Sequence, residues 1–303
     1  MVRWQAVVLL HPPRARAAVT RLLGGTPRVE AELNYLRDAS RRPRADALDP
    51  TRRFLPLEPR RVRIQDLRGA RHQPSLDEEG FTLIRHRSDV DLDDLEAIDR
   101  EYRDELASVG RELTGSPHVY VAPRAILRSN DHRMSSSGGV VVDGIAPVVH
   151  GDCPHATAVA EARSALHHHG IESMPEGRVV VLTLWRSLAP PPQDAPLAVC
   201  DLRTVSDEHL VPADVTGNVG ASDLHSEFFL LLHDPRHRWY YFSGMERDDL
   251  LVIKQHDCGI SGPSGCPHSA FKDPTCRRSA APRVSLEARV FVFPDADAVA
   301  HRR

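Results

Sequence analysis

From residue 117 onward, short apolar segments recur between Gly- and Pro-containing turns, and this spacing limits the fold more than any other feature of the chain. The segments are His118–Val121, Val140–Val142, Val148–His150, Val179–Leu188, Pro196–Asp201, Glu227–Leu232, Trp239–Phe242, Leu250–His256 and Val284–Phe293. Each has strand length, is bounded by turn formers and favours β-branched or aromatic residues. One long helix, about Ala156–His169, interrupts them. Many short strands at such intervals predict a mainly β (α+β) fold of the double-sheet, cupin-like jelly-roll type. Upstream, Arg61–Ile64 alternates like an exposed strand and Gly80–Ile84 reads as another. Leu92, Leu95, Ile98, Tyr102, Leu106, Val109 and Leu113 recur every three or four residues, which predicts a helix with Asp91 as N-cap and Gly115 as its stop. Residues 1–115 are therefore expected to form an extension of strands plus a supporting helix, and residues 116–303 the jelly-roll core, the two making one structural unit.

Composition narrows the class. Hydrophobic residues make up 41% of the chain, enough for a buried core, so disorder throughout is excluded. A net charge of -3 gives no reason to expect a nucleic-acid or membrane partner. Residues 1–75 carry 16 Arg against 7 Asp and Glu, but Lys254 and Lys272 are the chain's two lysines, so the Arg excess is general and no aromatic stacking pattern accompanies it. The apolar run Ala6–Leu10 is too short for a secretory or spanning segment. Five cysteines form a sparse, odd set, which fits a reducing cytoplasm rather than a disulfide framework. A small-molecule ligand is the expected partner, and a homodimer is compatible with these features.

The chemistry concentrates in Val148-Val149-His150-Gly151-Asp152. Side chains at i and i+2 of a strand share a face, so His150 and Asp152 can offer an imidazole and a carboxylate to one point. Downstream, His268 follows a strand and can supply a third ligand. Two histidines and one carboxylate on one face of a metal leave positions open, the arrangement of iron(II) oxygenases. A bidentate 2-keto acid and dioxygen would fill those positions. Arg283, opening the last strand, can grip a carboxylate through two parallel hydrogen bonds, with Ser285 two residues on adding a hydroxyl. Trp185 and Arg186 must point to opposite faces of their strand; Arg186, with Tyr241 and Lys254, is a candidate substrate contact.

In this order, His-x-Asp, distal His and Arg-x-Ser, the chain resembles the iron(II)/2-oxoglutarate dioxygenases, in the branch of the cephamycin hydroxylase component and the fungal gibberellin desaturase. The resemblance extends over Glu32–Leu36, Leu76–Phe81, Val148–Asp152, Trp185-Arg186, Ala195–Asp201, Trp239–Phe242, Lys254-Gln255 and Pro267–Phe271. It implies a double-stranded β-helix, with Fe(II), 2-oxoglutarate and O2 used to hydroxylate or desaturate a small specialised metabolite. Thr183, Cys153-Pro154 and Ser187 depart from the pattern at positions expected to wall the pocket. Two other readings stand beside this one. Cys258, Cys266, His268 and Cys276 could hold a structural zinc, although no close Cys-x-x-Cys pair supports it. A non-catalytic jelly-roll protein acting in complex with another biosynthetic enzyme is the alternative function.

Overall fold

The strands of the chain are β1 (Arg28–Leu36), β2 (Arg44–Asp46), β3 (Leu57–Asp66), β4 (Phe81–Arg85), β5 (Val119–Ser129), β6 (Val140–Asp143), β7 (His150–Gly151) and β8 (Val180–Ser187). They continue as β9 (Leu197–Cys200), β10 (Leu210–Thr216), β11 (Ser226–Leu231), β12 (Trp239–Tyr241), β13 (Asp249–Asp257), β14 (His268–Ala270) and β15 (Val284–Val292). This computed structural model describes residues 27–46, 49–131, 134–216, 226–277 and 280–294, so the Ala6–Leu10 run lies outside the described residues.

Two mixed sheets result. One runs β1-β3-β12-β9-β14-β7-β11-β10-β2 and the other β4-β13-β8-β15-β5-β6. Trp185, Leu251, Ile253 and Phe81 of the smaller sheet meet Leu197 and Val199 of the larger one, which forms the core between them. The larger sheet curls back on itself: Leu36 bridges Leu232, and the Val149 N–H donates to the Asn34 carbonyl. That curl encloses a second core containing Leu33, Tyr35, Trp239 and Tyr241. Strands from residues 1–115 thus belong to both sheets, β1, β2 and β4 at their edges and β3 within the larger one.

The helix anticipated over residues 92–114 covers the outer face of the smaller sheet, where Leu106, Val109 and Leu113 pack on Val121, Leu184 and Val290. Burying each such Leu contributes roughly 1.5–3 kcal/mol. It starts later than expected, at α1 (Leu95–Ala97), because Asp91 closes a preceding turn and Asp94 caps the helix by accepting from Glu96 N–H. A π-helical turn, Ile98–Tyr102, joins α1 to α2 (Arg103–Thr114). Ile98, Tyr102 and Leu106 are spaced by two successive fours, more than an α-helix turns, and the wider turn keeps all three buried. Gly115, at φ 69°, ends the helix in the left-handed region and returns its N–H to the Arg111 carbonyl. The second helix, α3 (His155–His168), packs Ala158, Ala162 and Leu166 against Val181 and Phe291.

Candidate metal centre

His268 faces His150 across the β14–β7 pair, and β7 is held on its other side by Phe229 and Leu230 of β11. The Nε2 atoms of His150 and His268 lie 3.4 Å and 3.8 Å from the same oxygen, Asp152 Oδ1. One ligand atom from each residue falls within a 4.8 Å cluster. Both imidazoles are oriented from behind, since His150 Nδ1 is 2.8 Å from the Val148 carbonyl and His268 Nδ1 is 3.2 Å from the Cys266 carbonyl. A carbonyl can only accept, so each Nδ1 carries the hydrogen and each Nε2 presents its lone pair to the centre.

Electrostatics favour the ligating forms of His268 and Asp152. Burial, reinforced by the neighbouring His150, pushes His268 down to about 4. Burial opposes ionisation of Asp152, but His268, Arg289 and His150 outweigh it and hold the carboxyl well below its usual range. His150 is lifted because Asp152 outweighs the burial that would lower it; a metal ion would displace that proton.

The second oxygen of Asp152 is held by Arg289, whose Nη2 lies 3.2 Å from Oδ2. Arg289 also binds Glu161 of α3 at 2.6 Å, so β15 and α3 together fix the carboxylate with one oxygen turned inward. Farther along β15, Arg283 is 3% exposed. Its Nε donates to Ser285 Oγ and its Nη1 to the Ala195 carbonyl, each at 3.1 Å, and its guanidinium lies 5.0 Å above the Trp185 ring. Burial lowers its pKa to about 10. Among the described residues no carboxylate forms an ion pair with it, so Arg283 is a buried cation short of its anion. Four further buried atoms on β8 and β13, Thr183 Oγ1, Trp185 Nε1, Arg186 Nε and Gln255 Nε2, lack hydrogen-bond partners. A buried donor without a partner costs about 1–3 kcal/mol.

The structure thus brings His150, Asp152 and His268 together, and Arg283 with Ser285. It does not bring in the three candidate substrate contacts. Arg186 points to the outer, helix-covered face, donating to the His86 and Arg247 carbonyls and lying 5.3 Å from the Tyr102 ring; Trp185 is the inward residue of that pair. Tyr241 packs edge-on against Phe271 in the second core. Lys254 is buried beside Asp257, which Arg178 binds through two hydrogen bonds. The zinc alternative is not assembled either: among the described residues Cys266 is buried and donates to the Cys200 carbonyl, Cys258 is exposed, and the metal-competent group containing His268 is the His–Asp–His one. Sequence reasoning gives Arg289 and Glu161 no place beside Asp152, where the structure puts them. The alternation Arg283-Ser285-Glu287-Arg289 was a usable signal, because it lays a polar stripe on one face of an otherwise apolar strand.

The family described as Oxidoreductase/YMDC permease-like domain matches residues 33–293. No helix among the described residues is long and apolar enough to cross a membrane. The hydroxylase/desaturase efuI of Hormonema carpetanum is 29% identical over 88% of this chain and 96% of its own length. A hydroxylase/desaturase of Cercospora beticola is 30% identical over 78% of this chain and 77% of its own length. The Fe(II)/2-oxoglutarate-dependent dioxygenase nvfI of Aspergillus novofumigatus is 28% identical over 78% of this chain and 84% of its own. A solved structure of the iron and alpha-ketoglutarate-dependent endoperoxidase NvfI superposes with a TM-score of 0.72 at 25% identity, covering 88% of this chain and 98% of that one.

Proposed function

This chain belongs to the iron(II)/2-oxoglutarate-dependent dioxygenase family of hydroxylases and desaturases, and we propose that His150, Asp152 and His268 hold its iron while Arg283 and Ser285 hold the distal carboxylate of 2-oxoglutarate. The carrying observation is the convergence of both Nε2 atoms on one oxygen of Asp152. The donor set fits iron(II), being two neutral imidazoles and a carboxylate on one side of a point. The co-substrate fits equally, because its carboxylate would supply the anion that buried Arg283 lacks. The two facing sheets are read as a jelly roll, with residues 27–294 as one unit.

Iron(II) held by the triad, with 2-oxoglutarate and dioxygen, would supply the oxidising power, the keto acid leaving as succinate and carbon dioxide as a substrate carbon is hydroxylated or two adjacent atoms are desaturated. The chain's own residues orient and exclude. Arg289 keeps Asp152 Oδ2 occupied, so the carboxylate offers a single oxygen and sites remain free for the ligands. Trp185 covers the Arg283 guanidinium and keeps water from its charge. Beside Asp152 opens a cavity of about 860 Å³, within the range that encloses a small organic molecule. A complete triad and an anchor would serve no purpose in a non-catalytic partner protein. The test is to supply the purified chain with iron(II), 2-oxoglutarate and a panel of metabolites and to follow succinate and oxidised product. Succinate formation coupled one-to-one to a hydroxylated or desaturated product supports the reading; product that appears only when a second protein is added contradicts it.

A further inference from the structure

The wall of the cavity beside Asp152 contains a strand irregularity with a positive charge at its tip. Between Ala288 and Val290 of β15 the partner on β5 jumps from Ala125 to Val121. Ala122, Pro123 and Arg124 therefore stand opposite Arg289 alone. The bulge is tied down from outside, where Arg103 Nη1 donates to the Pro123 carbonyl at 2.9 Å. Bulges of this kind re-aim a side chain and recur next to active sites. Here the residue re-aimed is Arg124, which lines the same cavity as Asp152 and Arg289.

Every carboxylate lining that cavity already has an arginine. Asp152 and Glu161 share Arg289, Glu287 and Asp143 share Arg128, and Glu227 pairs with Arg42. Asp143, with a side chain 58% exposed, is screened by water. Arg124 is the charged lining residue for which no described residue supplies a partner. The rest of the wall near it is apolar, from Ala122, Ile126, Val141 and Phe291. A guanidinium beside that apolar wall is a planar fork suited to a carboxylate or another oxyanion.

We propose that Arg124 is a substrate-binding residue and that the substrate is a compact, mostly apolar molecule bearing one anionic group. The proposal rests on the oxygenase reading for its reaction but not for its binding site. Arg124 lies across the bulge from the arginine that touches Asp152, so an anion fixed there directs the remainder of the molecule along the apolar wall toward the metal ligands. The residue thereby selects which carbon is presented.

A matched pair of fluorescent probes tests this on the full chain, loaded anaerobically with iron(II) and saturating 2-oxoglutarate so that Arg283 is occupied. One probe is 8-anilinonaphthalene-1-sulfonate; the other is N-phenyl-1-naphthylamine, the same body without the sulfonate. The parent is expected to bind the sulfonate, Arg124→Gln to weaken it by about tenfold or more, and Arg124→Lys to retain part of the difference, as for a hydrogen-bonded charge pair. The uncharged probe is expected to bind all three proteins alike. Unchanged sulfonate affinity in Arg124→Gln overturns the proposal. So does parallel weakening of both probes, which would report a reshaped cavity, and so does a parent that does not bind the sulfonate. The 2-oxoglutarate charge-transfer band, read in the same samples, is expected to be equal in all three proteins; its absence from the parent would count against the oxygenase reading and leave the anion site to be judged by the probes.

Discussion

Replacing Arg283 by Leu removes the cation from a pocket in which it is 3% exposed and has no described carboxylate partner. In the bound state the keto acid's distal carboxylate would be desolvated against it and held through a charge-assisted bidentate contact. Breaking one side of such a buried pair costs roughly 3–5 kcal/mol, because the remaining charge is left uncompensated. At about 1.4 kcal/mol per tenfold, 2-oxoglutarate affinity should fall by at least about a hundredfold. Arg283→Lys should recover only part of this, since an ammonium cannot reproduce the planar fork or its stacking on Trp185. Ser285→Ala should cost about 1 kcal/mol, one ordinary hydrogen bond. Calorimetric titration of 2-oxoglutarate into anaerobic iron(II) protein measures each effect, and iron content should be equal in all four proteins. Parent-like affinity in Arg283→Leu would show that the carboxylate is anchored elsewhere and refute the reasoning.

Three further outcomes follow from the same structure. Arg289→Met frees Asp152 Oδ2 and leaves Glu161 without its partner; iron affinity should fall about tenfold or more, as for other residues that orient metal ligands, and a competitive chelator titration reads it. Gly265→Ala would set a Cβ 2.2 Å from the Gln255 carbonyl oxygen, a backbone atom that cannot swing aside, so the segment leading to His268 must shift; a loss of about 1–3 kcal/mol in thermal unfolding and weaker iron binding are expected. Asp257→Asn removes the carboxylate from Arg178 and buried Lys254 and should destabilise the fold by roughly 3–5 kcal/mol at neutral pH. Burial opposes the ionisation of Asp257, but Arg178 and Lys254 hold its pKa below the ordinary carboxylate value. Its contribution is therefore complete above the unfolded value, about 3.9, and fades as the pH falls through the lower folded value, so the parent and Asp257→Asn denaturation curves should converge only in acid.

The pairing of His150 with Asp152 in the candidate centre was legible because the i, i+2 rule is local: it needs no knowledge of the fold to put both on one side of a strand. Arg283 and Ser285 were legible for the same reason. Which face of a strand looks inward is a different matter. All eight residues of β8 and all nine of β13 are buried, so no polar–apolar alternation marks the inner face, and Arg186 and Lys254 were assigned to the cavity when helix packing and the Asp257 cluster claim them. Tyr241 was misassigned because the curl of the larger sheet creates a second core that strand patterns do not reveal. The contribution of α3 to the centre, through Glu161, depends on tertiary packing, which periodicity within the helix cannot report.

The central claim is tested most directly by adding one equivalent of iron(II) to metal-free protein under anaerobic conditions, then 2-oxoglutarate, and recording the visible metal-to-ligand absorption band. The account predicts a band that saturates at one iron per chain and is abolished in His268→Ala, while Cys258→Ser and Cys276→Ser leave it unchanged. A parent protein that forms no band, or an undiminished band in His268→Ala, would contradict it.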